Sequence, residues 1–243
     1  MALKRRFSKK LRKEDKIVVK ENVISNKIEG YNRLRDNILY LNADGNTKVI
    51  QIESSVSHEG KTTIICNLAV SLGLTGKKVI VVDFDFRRPR VQHRFELSID
   101  LGVAEYMLGT AEKKDVIKHS AYKNVDVITR GEKIYNPSAI LVSDKFKSLI
   151  KELRDEYDYV LLDCAPVLQV SEYIHILQVS DGVLFVAAYG MTTKTQVAEA
   201  VKELRKNGAN ILGTVFSMCD SKAAKVYGGY YKNSYYYDSS EED

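Results

Sequence analysis

Six short apolar runs punctuate the chain, at 48–52, 78–82, 125–128, 159–162, 183–188 and 211–216. Each is rich in Val and Ile and too brief for a helix, so each predicts a buried strand. Helical periodicity fills the intervals, most clearly over 62–74, 143–156 and 192–206. A further stretch, 26–40, places Ile28, Tyr31, Leu34 and Ile38 at helical spacing, with Leu41 just beyond. Apolar strands alternating with helices predict an α/β fold, a parallel sheet with helices on both faces.

The two ends of the sequence break this rhythm. Over the first twenty residues nine basic side chains oppose only Glu14 and Asp15. That stretch reads as a basic flexible arm over 1–24. Its charge suits an anionic membrane leaflet or a nucleic acid. From Tyr227 onward the sequence has no Leu, Ile, Met or Phe, and it carries Tyr227, Tyr230, Tyr231, Tyr235, Tyr236 and Tyr237. Residues 223–243 therefore read as a disordered tyrosine-rich tail. Composition changes the picture little. A hydrophobic content of 44% suits a globular core, and the net charge of +5 comes from the arm. No apolar run nears the roughly 20 residues that span a bilayer, and no secretory signal opens the chain. Three scattered cysteines, Cys66, Cys164 and Cys219, suit a reducing compartment.

Candidate chemistry begins at Ser54-Ser55-Val56-Ser57-His58-Glu59-Gly60-Lys61-Thr62-Thr63. The stretch follows the first strand and opens a helix, the context of a phosphate-binding loop. Backbone N–H groups of such a loop wrap phosphate oxygens, and the helix start adds unpaired donors. Ser57, His58, Glu59, Gly60, Lys61, Thr62 and Thr63 are the expected nucleotide contacts. Lys61 suits the β- and γ-phosphates, and the Thr62 hydroxyl suits Mg²⁺. Ser55 stands where the motif's first glycine usually falls. The central region, 25–222, thus reads as a P-loop NTPase-like domain.

Three carboxylates end predicted strands. Asp83 and Asp85 follow Val79-Ile80-Val81-Val82, and Asp163 follows Tyr159-Val160-Leu161-Leu162. Ligands in open parallel sheets lie beyond the carboxyl ends of the strands, so all three are expected near Lys61 and Thr62. The alternative is that each Asp caps the turn it begins. Arg87 or Arg88 supplies a rigid cationic fork suited to phosphate.

Taken together these residues resemble the bacterial tyrosine autokinases of capsule and exopolysaccharide synthesis. The closer likeness is to the separate cytoplasmic kinase subunit of Gram-positive bacteria. Ser54–Thr63 resembles the family's Walker A motif. Asp83-Phe84-Asp85-Phe86-Arg87-Arg88-Pro89 resembles its D-x-D-x-R-x-P motif, and Asp163 with Pro166 its Walker B. Asn136-Pro137-Ser138, with Leu141 and Ser143, resembles a further family block, and the tyrosine cluster resembles its autophosphorylated tail. Glu29, Asn32 and Arg35 partly match an E-x-x-R-x-x-R assembly helix.

The resemblance implies ATP and Mg²⁺ as cofactors, with Thr62, Asp83 and Asp163 around the metal. It implies Lys61, Asp83, Asp85 and Arg87 as catalytic residues, and the six tail tyrosines as acceptors. It further implies a homo-oligomer that exchanges tails and a membrane-anchored activator or chain-length regulator. An opposing tyrosine phosphatase, a place at the inner face of the cell membrane and no nucleic-acid partner complete that expectation. His58 and Ser57 replace the family's usual Gly and Pro, and Ser217 stands where an Asn often meets adenine. Two other readings compete. One is a ParA/MinD-like dimerising ATPase switch, against which stands Val56 at the position of that family's early loop lysine. The other is a weakly active ATP-binding regulatory subunit.

Overall fold

The structure, a computed structural model, describes residues 16–21, 23 and 25–219. In chain order the elements are α1 (Asn26–Leu41), β1 (Val49–Ser54), α2 (Lys61–Leu74), β2 (Val79–Asp83), α3 (Val91–Arg94), α4 (Val103–Leu108), α5 (Lys113–Val116), β3 (Lys118–His119), β4 (Val125–Ile128), α6 (Pro137–Leu141), α7 (Asp144–Glu156), β5 (Tyr159–Asp163), α8 (Tyr173–Leu177), β6 (Gly182–Ala188), α9 (Lys194–Lys206) and β7 (Ile211–Ser217). The seven strands form one sheet in the order β3-β4-β2-β5-β1-β6-β7. Its pairings are parallel apart from the two-residue β3, which runs antiparallel to β4.

Strand alternation builds a core on each face. Ile50 and Ile52 of β1, Val79 and Val81 of β2, and Leu161 of β5 face α2. Val49, Ile80, Val82, Val160 and Leu162 point the other way, onto Phe146, Leu149, Ile150 and Leu153 of α7. Val183, Phe185 and Ala187 of β6 meet Ala200 and Leu204 of α9. Both faces are covered, which explains why these strands read as unbroken apolar runs.

Helix α2 is buried on nearly every side. A helix apolar all round needs cover on both flanks. The sheet supplies one flank. The other is closed by Ile38 of α1 and by Ile17 and Val19. Val18 N and Val19 N both donate to Asn67 Oδ1 of α2, at 2.8 and 3.2 Å. The structure thus differs from the expected flexible arm at its inner end, because residues 17–19 are bound to the core. Residues 1–15, and with them most of the arm's charge, lie outside the described residues, as do the tail and its tyrosines. Among the described residues no helix is long and apolar enough to cross a membrane.

Candidate nucleotide site

The loop between β1 and α2 is held by its own side chains and by both neighbouring strands. Glu59 is fully buried. Its Oε2 accepts from Val56 N at 2.7 Å, and its Oε1 accepts from Ala188 N at 3.3 Å and from the Thr192 hydroxyl. Ser217 Oγ donates to Glu59 O at 2.5 Å. One glutamate therefore ties the loop to the ends of β6 and β7. On the other flank Val167 N and Leu168 N, just past β5, donate to Ser54 O and Ser55 O at 2.9 and 3.1 Å. Ser57 Oγ donates to Gln169 Oε1 at 2.7 Å.

The loop ends at Gly60, whose φ of 90° lies in the left-handed region that glycine adopts without strain. Gly60 caps α2 without a side-chain hydrogen bond. The first-turn N–H groups of Lys61, Thr62 and Thr63 are thus oriented as a helix N-terminus presents them to an anion. His58 also has positive φ, 71°. Its Nε2 lies 2.9 Å from Arg88 Nη1, across the mouth of the loop.

Sheet order explains how the acids assemble. β5 lies between β1 and β2, so Asp163 stands between the loop and Asp83. Asp83 and Asp163 are register partners. Thr62 Oγ1 donates to Asp163 Oδ2 at 2.7 Å, and Lys61 Nζ donates to Ser54 Oγ at 3.0 Å. Asp83 is fully buried and accepts Asp85 N at 3.0 Å and Val91 N at 3.3 Å. Asp85 is half-buried; its Oδ1 accepts Arg87 N and Arg88 N at 3.2 and 2.8 Å. The capping alternative is thus also realised: Asp83 and Asp85 organise the turn they begin while facing the site. Arg87 turns aside to Glu172, at 3.2 Å.

Burial sets the electrostatics. It pushes the Asp163 carboxyl up to about 7, against the pull of the Lys61 ammonium and the Thr62 hydroxyl. Burial, then the negative neighbours Asp163 and Asp85, drive Asp83 well above the carboxylate range. Glu53, sealed beneath the loop, is pushed up to about 8, chiefly by burial. A nearby divalent cation reverses this logic by favouring the charged carboxylates. The donor set fits such an ion. Asp163 Oδ1 is buried without a hydrogen-bond partner among the described residues, and hard oxygen donors suit Mg²⁺. No three His, Cys, Asp or Glu side chains among the described residues form a metal site alone. In phosphate loops the threonine hydroxyl, phosphate oxygens and water supply the remaining ligands.

Several residues of this site carry no motif signal. Thr192, Gln169, Glu172 and Arg94, whose Nη2 donates to Thr63 Oγ1 at 3.0 Å, reach it only through the fold. Conversely, the Asn136–Ser143 block has a local structural role. Asn136 caps α6, Pro137 occupies its first turn, and Ser143 caps α7. On α1, Glu29 pairs with Arg33 at 3.2 Å, and Arg35 Nη1 donates to Asn32 Oδ1 at 3.2 Å. A cavity of about 610 Å³ near His119, Asp126 and Tyr157 opens at the opposite ends of the strands and shares no residue with the site.

Fold and site together define a nucleotide-binding α/β domain of the P-loop class. Residues 47–213 match the model of the AAA domain family. The tyrosine-protein kinase CpsD of Streptococcus pneumoniae is 34% identical over 205 residues, covering 83% of this chain and 89% of that protein. YwqD of Bacillus subtilis strain 168, also a tyrosine-protein kinase, is 33% identical over 202 residues, 83% of this chain and 85% of its own. The chain thus belongs to the bacterial tyrosine-protein kinase family, on an AAA domain core. The tyrosine-protein kinase Etk of Escherichia coli K12 is 29% identical over 207 residues, 85% of this chain, but the chain spans only 28% of its length. Among solved structures, the chimerical protein CapA2B2 superposes with a TM-score of 0.79 at 29% identity, covering 82% of this chain and 88% of that one. Septum site-determining MinD of Pyrococcus horikoshii, complexed with Mg-ADP, gives 0.61 at 26% identity, covering 74% and 76%.

Proposed function

We propose that the chain is an ATP-dependent protein-tyrosine kinase that phosphorylates the tyrosines of its own kind. The observation that carries this reading is one constellation. Lys61 and Thr62 start a helix whose cap, Gly60, offers no side-chain acceptor, Thr62 touches Asp163, and Asp163 stands in register with Asp83. Kinship to proteins named tyrosine-protein kinase over 83% of the chain supports the same reading.

In this account ATP is the substrate, its phosphates seated on the Gly60–Thr63 N–H groups. Lys61 leaves Ser54 Oγ and neutralises the β- and γ-phosphates. Thr62, Asp83 and Asp163 would hold Mg²⁺, which would supply charge neutralisation at the phosphates. Asp85, the more exposed of the strand-end pair, orients the acceptor phenol and takes its proton. The phenolic oxygen forms a bond to the γ-phosphorus as the bond to the β-phosphate oxygen breaks. Phosphotyrosine and ADP result. Arg87, once released from Glu172, adds positive charge to the transferring group.

The acceptors under this proposal are Tyr227, Tyr230, Tyr231, Tyr235, Tyr236 and Tyr237, delivered from a neighbouring subunit. Each phosphate adds about −1.5 to −2 charges and repels the next subunit. The setting is control of capsular or exopolysaccharide synthesis at the inner face of the cell membrane. A membrane-anchored activator and an opposing tyrosine phosphatase complete the cycle. Incubation of the full chain with MgATP, followed by phosphosite mapping, tests the proposal. Phosphate on the tail tyrosines is expected, and it is lost in Lys61→Met. ADP release without phosphotyrosine would favour the MinD-like switch, and tight ATP binding with neither product would favour a regulatory subunit.

A further inference from the structure

The residues just past the strand-end carboxylates form a basic collar. Arg87, Arg88, Arg90, His93 and Arg94 fall within eight positions. Arg88 and Arg90 are exposed, and neither has a carboxylate partner among the described residues. Arg88 reaches instead to His58. Arg130 thickens the collar from below, where its Nη1 donates to Phe86 O at 3.3 Å. The collar is tied to the reaction centre by the Arg87 and Arg88 N–H groups on Asp85 Oδ1. A peptide whose phenol meets Asp85 therefore passes this collar with its flanking residues.

The chain carries a segment of matching charge. Tyr235-Tyr236-Tyr237 is followed directly by Asp238-Ser239-Ser240-Glu241-Glu242-Asp243. The first tyrosine group differs, because Tyr230-Tyr231 is followed by Lys232 and Asn233. At about 3.3 Å per residue, Tyr236 and Glu241 are separated by at most roughly 17 Å. Arg88 and Arg90 lie three and five residues past Asp85 in the chain, an interval of the same size.

We propose that Arg88 and Arg90 dock the acidic segment Asp238–Asp243 of a second copy of this chain, presenting Tyr235–Tyr237 to Asp85. The inference rests on the kinase reading and deepens it by naming the determinant of acceptor choice. A second copy is the occupant because the kinase reading delivers the acceptor tail from a neighbouring subunit, and because the acidic segment matches the exposed Arg88 and Arg90 in charge.

Trans-phosphorylation between full-length chains tests this. Active chain serves as enzyme, and Lys61→Met chain serves as acceptor, with its tail intact or neutralised at Asp238→Asn, Glu241→Gln, Glu242→Gln and Asp243→Asn. The intact acceptor is expected to be labelled at both tyrosine groups. Neutralisation is expected to raise KM about three- to tenfold, the size of a few exposed ion pairs, with the loss confined to Tyr235–Tyr237 and erased by salt. Enzyme carrying Arg90→Glu is expected to show the same loss at unchanged nucleotide affinity, with recovery on an acceptor carrying Glu241→Lys and Glu242→Lys. Equal labelling of intact and neutralised acceptors would overturn the inference and leave the kinase reading standing. So would acid dependence seen only in the active chain's own tail. An unlabelled acceptor beside a labelled active chain would likewise overturn the inference alone, whereas phosphotyrosine on neither chain would remove the kinase reading itself, and this inference with it.

Discussion

Glu59 is the residue that most directly sets the shape of the loop. Its buried carboxylate accepts Val56 N, Ala188 N and the Thr192 hydroxyl, and its carbonyl accepts Ser217 Oγ. Glu59→Ala would leave three donors without their acceptor, at about 1–3 kcal/mol each where no water enters. We expect nucleotide affinity to fall at least tenfold by calorimetric titration, with the fold retained; unchanged affinity would show the loop to be held by other contacts. Glu53 makes a separate prediction about pH. Its carboxyl is pushed up to about 8 in the folded chain from an ordinary 4.5, mainly by burial, so the native state holds the extra proton. A raised carboxylate contributes stability that is complete below the unfolded value and is lost as pH climbs through the folded one. Between pH 6 and 8 this group is expected to cost on the order of 2 kcal/mol. Glu53→Gln, which mimics the protonated form, should flatten the fall in melting temperature over that range. A variant as pH-sensitive as the parent would assign the effect to Asp83 and Asp163.

At the scale of elements, the main strands and the long helices were legible because each satisfies one periodicity over enough residues. The predicted 62–74 helix is Lys61–Leu74, and the predicted 143–156 helix is Asp144–Glu156. The turn between β1 and α2, and the placing of Asp83 and Asp163 side by side at the ends of β2 and β5, were equally legible, since strand-end position fixes where a side chain points in a parallel sheet. One-turn pieces such as Val91–Arg94 and Tyr173–Leu177 were not, because four or five residues show no period. The Glu59 clasp was hidden for another reason: Thr192 lies 133 positions away, and only the β1–β6 pairing brings it close. The inner end of the arm was misread because two apolar residues, Ile17 and Val19, form no pattern, yet both are buried against α2. Deleting residues 1–20 should therefore expose that helix. Burial of two such side chains contributes about 3–6 kcal/mol, so the melting temperature is expected to fall by about 6 °C or more. A deletion without thermal cost would mean that α2 needs no such cover.

For the whole molecule, the sheet order is the organising fact. Placing β5 between β1 and β2 lines up the loop, Asp163 and Asp83 along one edge of the strands. The proposed function delivers the acceptor to that edge from a neighbouring copy. It predicts that mixed Lys61→Met and tail-deleted chains, each inert alone, label the Lys61→Met chain when combined; absence of labelling in the mixture would confine the reaction to one subunit. Beneath all of this lies the claim that one pocket gathers a triphosphate, an ammonium, a hydroxyl and the strand-end acids. A crystal structure of the full chain with Mg²⁺ and a non-hydrolysable ATP analogue tests it most directly. The account predicts phosphates on the Gly60–Thr63 N–H groups, Lys61 on their oxygens, and the metal beside Thr62 and Asp163. A nucleotide lodged in another cleft, or Asp83 and Asp163 turned away from it, would contradict the account.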